Sequence, residues 1–212
     1  LKDQFFNETD TNEKDRLKRH VDENIDRILK AAEDFEGYKI DFDYKLFFSE
    51  VWKKNGGFDI VIGNPPYVEH KKLKHIAYLI KPHYDVYSGS GDLSIYFFEK
   101  GHNLLNEGGT LSYINTNKFF NTGYGKGLRN YILKSKINFI VNFEQVEIFE
   151  NVLVSSMILN SSKLDVSNEH KFKYVEFYKT KDWKSVFKET LDVNRRYYSQ
   201  SLFDSAEWVF LN

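Results

Sequence analysis

Phe58-Asp59-Ile60-Val61-Ile62-Gly63-Asn64-Pro65-Pro66-Tyr67 decides how this chain is read. The run from Phe58 to Gly63 is short, apolar and β-branched, which predicts a buried strand ending at the glycine. Such a strand would deliver a carboxamide, two prolines and an aromatic ring to the carboxyl edge of a sheet. That edge is where open α/β sheets bind their ligands. The plain alternative is a stiff Pro-Pro turn beside a packed tyrosine, but the length of the whole string favours a site.

The cluster suits methyl transfer to an amino nitrogen conjugated to an aromatic ring. The lone pair of such a nitrogen is delocalised, so a site must draw it back out of the ring. The Asn64 carboxamide oxygen can accept one N–H and the Pro65 carbonyl the other. Both prolines fix φ near −65°, so these acceptors need little reorganisation as positive charge develops. Tyr67 can stack on a base swung out of its helix.

Asn64 to Tyr67 with its strand resembles motif IV of the amino-methyltransferases that use S-adenosylmethionine. Downstream, the stretch from Gly91-Asp92-Leu93 through Gly108-Gly109 to Asn115 resembles the helix, turn and strand that follow motif IV in adenine-specific DNA methyltransferases. Lys118-Phe119-Phe120 and Gly125 to Leu133 resemble that family's next helix, and Val146-Glu147-Ile148-Phe149 with Val154 to Leu159 its motif VIII. Similar tetrapeptides occur in enzymes that methylate RNA bases or protein glutamines, and these remain the alternative, beside a non-catalytic nucleic-acid-binding module.

The chain most resembles the gamma-class adenine methylases of type II restriction-modification systems, some of which carry a nuclease in the same polypeptide. The resemblance implies a Rossmann-like α/β fold with a mixed sheet and a late antiparallel hairpin, S-adenosylmethionine as cofactor, and double-stranded DNA as partner. It also implies a nuclease domain or subunit nearby and a cytoplasmic setting. Carried across, it gives Asn64 and Pro65 the target amino group and Tyr67 the flipped adenine, with Phe149 at the adenine's other edge or face. Pro66, Leu93 and Phe97 would line the pocket for the cofactor's adenine. Asp43 or Asp41 would be the motif III acid holding that adenine's amino group. The family's motif I, a Phe-x-Gly-x-Gly turn, finds no match in residues 1–40, where Gly37 is the lone glycine. We therefore expect an internal fragment, partial in its amino-terminal strands and inactive alone, with a catalytic domain over 1–180 and residues 181–212 leading into a target-recognition region.

Composition constrains the rest. A chain of 212 residues, 41% hydrophobic and 17% aromatic, can build a substantial core. Having no cysteine, it can form no disulfide or thiolate zinc site, and it lacks the nucleophile that methylation of a cytosine ring carbon requires. No apolar run approaches the ~20 residues of a membrane span. Glu69, His70 and His75 are poorly spaced for a metal, and none is expected. Net charge is −1, but residues 1–50 carry 9 basic and 14 acidic side chains, leaving 21 and 17 for the remainder. Lys71, Lys72, Lys74, His75, Lys118, Lys126, Arg129, Lys134 and Lys136 are candidates for phosphate contacts, against the commoner reading of a solvated surface.

Periodicity predicts a helix over 12–35, capped by Asp10 or Thr11 and followed by Gly37, then an extended segment over 38–48. Residues 67–91 read as a long flexible lip. Helices follow over 93–105, ended by Gly108-Gly109, and over 127–135. Strands are expected over 110–114, 137–143, 152–159 and 172–178, and a weakly patterned tail from 180 contains Arg195-Arg196 and Trp208. The glycine-rich stretches at 88–92 and 122–127 read as loops.

Overall fold

The structure is a computed structural model of the 212-residue chain. It describes every residue except 38, 40, 41, 144, 145, 147, 150–154, 178–183, 186, 211 and 212, and leaves out the side chains of residues 35 and 36. The chain divides into two compact units, Leu1–Phe58 and Asp59–Asn212.

The first unit is helical: α1 (Lys2–Asn7), α2 (Thr11–Glu36), α3 (Tyr44–Phe47) and α4 (Ser49–Asn55). Asp10 caps α2, its carboxylate accepting Glu13 N–H at 2.9 Å, and Gly37 ends the helix at φ 77°. Leu17 and Ile25 are buried on the predicted apolar face. Lys2 reaches across to the carbonyls of Leu46 (2.8 Å) and Phe47 and to Glu50 (3.3 Å), fastening α1 to α3 and α4. The extended segment expected over 38–48 is corrected where described. Asp43 supplies a cap to Leu46 N–H at 2.7 Å, so residues 44–47 turn helical, and Phe42 and Phe47 stack with centroids 4.5 Å apart.

The second unit is built on a mixed sheet of six described strands, β1 (Phe58–Gly63), β2 (Leu105–Thr116), β3 (Lys136–Phe143), β4 (Ser156–Ser162), β5 (Lys171–Glu176) and β6 (Arg195–Ser199). Their order is β1-β2-β4-β3-β5-β6. β4 runs antiparallel to both β2 and β3, from Thr116↔Ser156 to Thr110↔Ser162 on one side, while β3 and β5 are parallel. The late antiparallel pairing is therefore real but sits within the sheet. The edge beyond β5 is instead β6, antiparallel to it. Helices α7 (Leu93–Asn103) and α8 (Gly125–Ile132) cover one face, where Phe98, Leu128 and Ile132 pack with Leu111, Ile140 and Leu159. Alternate residues Val141, Phe143 and Val175 form a separate cluster on the opposite face, joined by Phe187 and Leu191 of α9 (Phe187–Val193).

Three further expectations change. The strand predicted at Phe58–Gly63 is present, but Ile60 and Ile62 are 67% and 79% exposed rather than buried. Helix α7 stops at Asn103, before the paired glycines, which lie inside β2: Gly108 N–H donates to Lys163 and Lys163 N–H to Gly109, extending the β2–β4 ladder. The described part of the tail is ordered into α9 and β6, and Trp208 is buried in the main core with its N–H on the Phe120 carbonyl at 2.8 Å. Short helical turns, α5 (His70–Leu73) and α6 (Ala77–Ile80) among them, occupy the lip expected over 67–91.

Candidate active site

β1 ends with Gly63 against the ring of Tyr113 on β2, where an added Cβ would lie 3.3 Å from Tyr113 Cε1. The chain then emerges at the carboxyl edge. Asn64 is exposed, Pro65 is buried, Pro66 is exposed and Tyr67 is half-buried with its hydroxyl enclosed. The alternation has a clear physical sense. Pro65 anchors the turn with a ring that needs no hydrogen bond to its nitrogen, and its neighbours are left facing outward. The Val68 carbonyl accepts Leu93 N–H at 2.9 Å, which ties the segment to the first turn of α7.

Asp92 organises that junction. It caps α7, accepting Ser94 N–H at 2.9 Å and the Ser94 hydroxyl, while its other oxygen accepts the Tyr124 hydroxyl at 3.2 Å. Burial, and then the nearby Asp92 carboxylate, push the Tyr124 phenol up to about 12. Burial raises Tyr67 as well, opposed by the Ser156 hydroxyl and assisted by Asp92. Both rings are neutral phenols at neutral pH, so the cluster around Tyr67 offers a polar but uncharged wall.

The neighbouring strand ends are polar too. The Asn115 carboxamide oxygen accepts Thr116 N–H at 2.7 Å, leaving its buried amide nitrogen without a partner among the described residues. Asn117 donates to Asn142 at 3.0 Å and Asn142 to the Tyr174 hydroxyl at 3.0 Å, a buried chain linking β2, β3 and β5. The sequence reading passed over Asp92, Asn115, Asn117 and Asn142. Asp92 had a legible signal, an acidic residue directly before an apolar helix; the asparagines are recognisable only once β2 and β3 are aligned.

Leu93 is half-buried and Phe97 is 38% exposed, one turn apart on the outward side of α7, whose other residues Ser94, Ile95 and Phe98 face the core. Phe149 is half-buried in the connection between β3 and β4. Asp43 lies in the first unit, where its carboxylate is the cap of α3, and Asp41 lies outside the described residues. One proposed phosphate contact is corrected. Arg129 is buried, and its guanidinium clamps the carbonyls of Phe119, Thr122 and Ser205.

The family model described as Eco57I restriction-modification methylase matches residues 2–149. The chain is 28% identical over 164 residues to the type II restriction enzyme and methyltransferase RM.Eco57I of Escherichia coli, covering 73% of this chain and 16% of that protein. It is 34% identical over 96 residues to the type II methyltransferase M.BstVI of Geobacillus stearothermophilus, covering 44% and 17%. The type II methyltransferase M.AccI of Acinetobacter calcoaceticus is 26% identical over 166 residues, 74% and 29%. The chain thus spans less than a third of the length of these relatives. Among solved structures, the modification subunit of a type I restriction enzyme from Vibrio vulnificus aligns with TM-score 0.52 at 12% identity, over 68% of this chain and 34% of that one. A nuclease-deletion mutant of the type ISP restriction-modification enzyme LlaGI aligns with TM-score 0.51 at 16% identity, over 78% and 19%. These establish the fold.

Proposed function

The chain belongs to the Eco57I restriction-modification methylase family, and from that premise we propose that it carries the substrate side of an adenine-specific DNA methyltransferase site. The acceptor is the exocyclic amino group of an adenine turned out of the duplex. Asn64 Oδ1 and the Pro65 carbonyl take the two N–H bonds, pulling the nitrogen lone pair out of the ring. They also receive the positive charge that builds as the new N–C bond forms. Tyr67 stacks on one face of the purine, and Phe149 bounds its other edge or face.

The cofactor is S-adenosylmethionine, which supplies an electrophilic methyl on a sulfonium. The residues available to it fit an adenine ring. Pro66 and Phe97 present exposed apolar surface, with Leu93 half-exposed beside them. Asp43 would serve as the acid for that ring's amino group by exchanging its cap for the ligand. Residues 181–212 would lead toward target recognition, a nuclease would accompany the methylase, and the setting would be cytoplasmic.

The observation that carries the reading is the exposed Asn64 carboxamide at the tip of β1, set between a buried Pro65 and an enclosed Tyr67 hydroxyl. A neutral amide and a carbonyl need no titrating base, which agrees with neutral phenols as their neighbours. Labelled methyl groups offered to the full-length protein with duplex DNA, RNA and protein acceptors test it. Label in adenine of the duplex is expected. Label confined to RNA or to glutamine amides would overturn the assignment.

A further inference from the structure

The segment between the motif and α7 has a chemistry that methyl transfer does not use. From His70 to Tyr84 it contains four lysines and three histidines and not one acidic residue, in a chain whose net charge is −1. The excursion leaves and returns at the motif, because Leu93 N–H donates to the Val68 carbonyl, one residue after Tyr67. It is also pinned. Leu73 and Val86 are buried, Ile76, Ile80 and Tyr84 pack on the core, and the buried Glu99 carboxylate accepts Asp85 N–H at 3.1 Å and Val86 N–H at 2.9 Å.

Fixing the inner side fixes the outer one. Lys71, Lys72, Lys74 and Lys81 are exposed, and none has a hydrogen bond or ion pair among the described residues. Between them Tyr78 is 71% exposed and Leu79 38%. A surface meant only for water does not hold a tyrosine ring and a leucine outward among acid-free lysines. A sugar-phosphate backbone presents the complement of both features: closely spaced negative charge, one per ~1.7 Å of duplex axis, and apolar sugar faces between phosphates. Lys71 follows Tyr67 by four residues, within about 14 Å along the chain, so a phosphate held there is near a base that Tyr67 would stack upon.

We propose that this outward face, Lys71, Lys72, Lys74 and Lys81 with Tyr78 and Leu79, is a grip for the backbone of duplex DNA that holds the strand beside the motif. The inference rests on the reading of the chain as a DNA methylase and names where that partner is held. The lysines supply sequence-independent affinity and Tyr78 a contact that salt does not screen.

The test is binding of a short labelled duplex to the full chain, measured as Kd against salt between about 50 and 200 mM. Lys71→Gln, Lys72→Gln, Lys74→Gln and Lys81→Gln combined should flatten the slope of log Kd on log salt by about 3, from ~0.9 per phosphate released. Lys18→Gln, Lys30→Gln, Lys53→Gln and Lys54→Gln make the same charge change in the first unit and should leave the slope unaltered. Tyr78→Ala should weaken binding several-fold at every salt concentration with the slope unchanged. An unchanged slope in the first variant, or equal flattening in both lysine variants, overturns the grip, as does tighter binding of an RNA duplex than of DNA. Asn64→Ala should keep both affinity and slope. A chain that shows the expected lysine effect yet transfers no methyl supports the grip while refuting the reaction.

Discussion

Replacing Arg129 with methionine should unfasten the end of the second unit. The guanidinium is 3% exposed. Nη1 donates to the Phe119 carbonyl and to Thr122 at 3.0 Å, while Nε and Nη2 both reach the Ser205 carbonyl, at 3.1 and 2.9 Å. Burial lowers its pKa and Glu207 and Asp204 act against that shift, so the group stays charged. Methionine keeps the volume and removes every donor. The buried bond to Phe119 is of the charged kind, about 1.5–3 kcal/mol, and the two half-buried carbonyls can recover water, costing about 0.5–1 kcal/mol each. Relief from burying a cation returns part of this, so a net loss of about 3 kcal/mol is expected. With an m-value of about 2 kcal/mol/M, the urea midpoint should fall by about 1.5 M, and Arg129→Lys should recover part of it. Amide exchange at Trp208, whose N–H is held by the Phe120 carbonyl beside the clamp, should accelerate in the methionine variant. A midpoint within about 0.3 M of the parent, or unchanged protection at Trp208, would refute the reasoning.

Gly101→Ala should destabilise although alanine is the better helix former. Its Cβ would sit 2.3 Å from the Tyr113 hydroxyl oxygen and 2.8 Å from Leu111 Cδ1, so overpacking of about 1–3 kcal/mol outweighs a propensity gain of about 1. A Tm several degrees lower by calorimetry is expected, and an unchanged or higher Tm would count against the packing. His102 has its Nε2 buried without a partner among the described residues, and burial first, then Lys163, lower its pKa, against Glu107. A folded-state pKa below the unfolded value gives stability that is whole above the ordinary value near 6.5 and is lost as pH falls through the folded pKa. Urea titrations of the parent and His102→Asn at neutral and mildly acid pH should show a steeper loss in the parent, and parallel curves would contradict it.

Much of the fold was legible because local rules and tertiary context agree. Asp10 and Gly37 bound α2 as caps should, and the apolar runs at Phe58–Gly63 and Lys136–Phe143 became strands. The failures have physical causes. Gly108 and Gly109 resemble a helix stop, but Lys163 on another strand takes them into a ladder, a partner 54 residues away from Gly109. Asp43 overrides the β-leaning aromatics around it by capping α3. Arg129 reads as a surface cation until three carbonyls from two distant segments converge on it. Exposed isoleucines on β1 and the polar ends of β2 and β3 depend on strand order, which short-range pattern does not encode. At the site, the motif from Asn64 to Tyr67 was fully legible, whereas Asp92 and the asparagine chain behind it emerged only from the packing of α7 and the sheet.

The central claim is that Asn64 and Pro65 draw an adenine amino group into accepting a methyl group. Nucleoside mass spectrometry on duplex DNA treated with full-length protein, parent against Asn64→Ala, tests it most directly. The account predicts methylation of the adenine amino nitrogen by the parent and a loss of at least about 100-fold in the variant, as for other groups that stabilise developing charge, with duplex binding retained. Methyladenine formed equally by both proteins would contradict it, as would methyl groups found only on another acceptor.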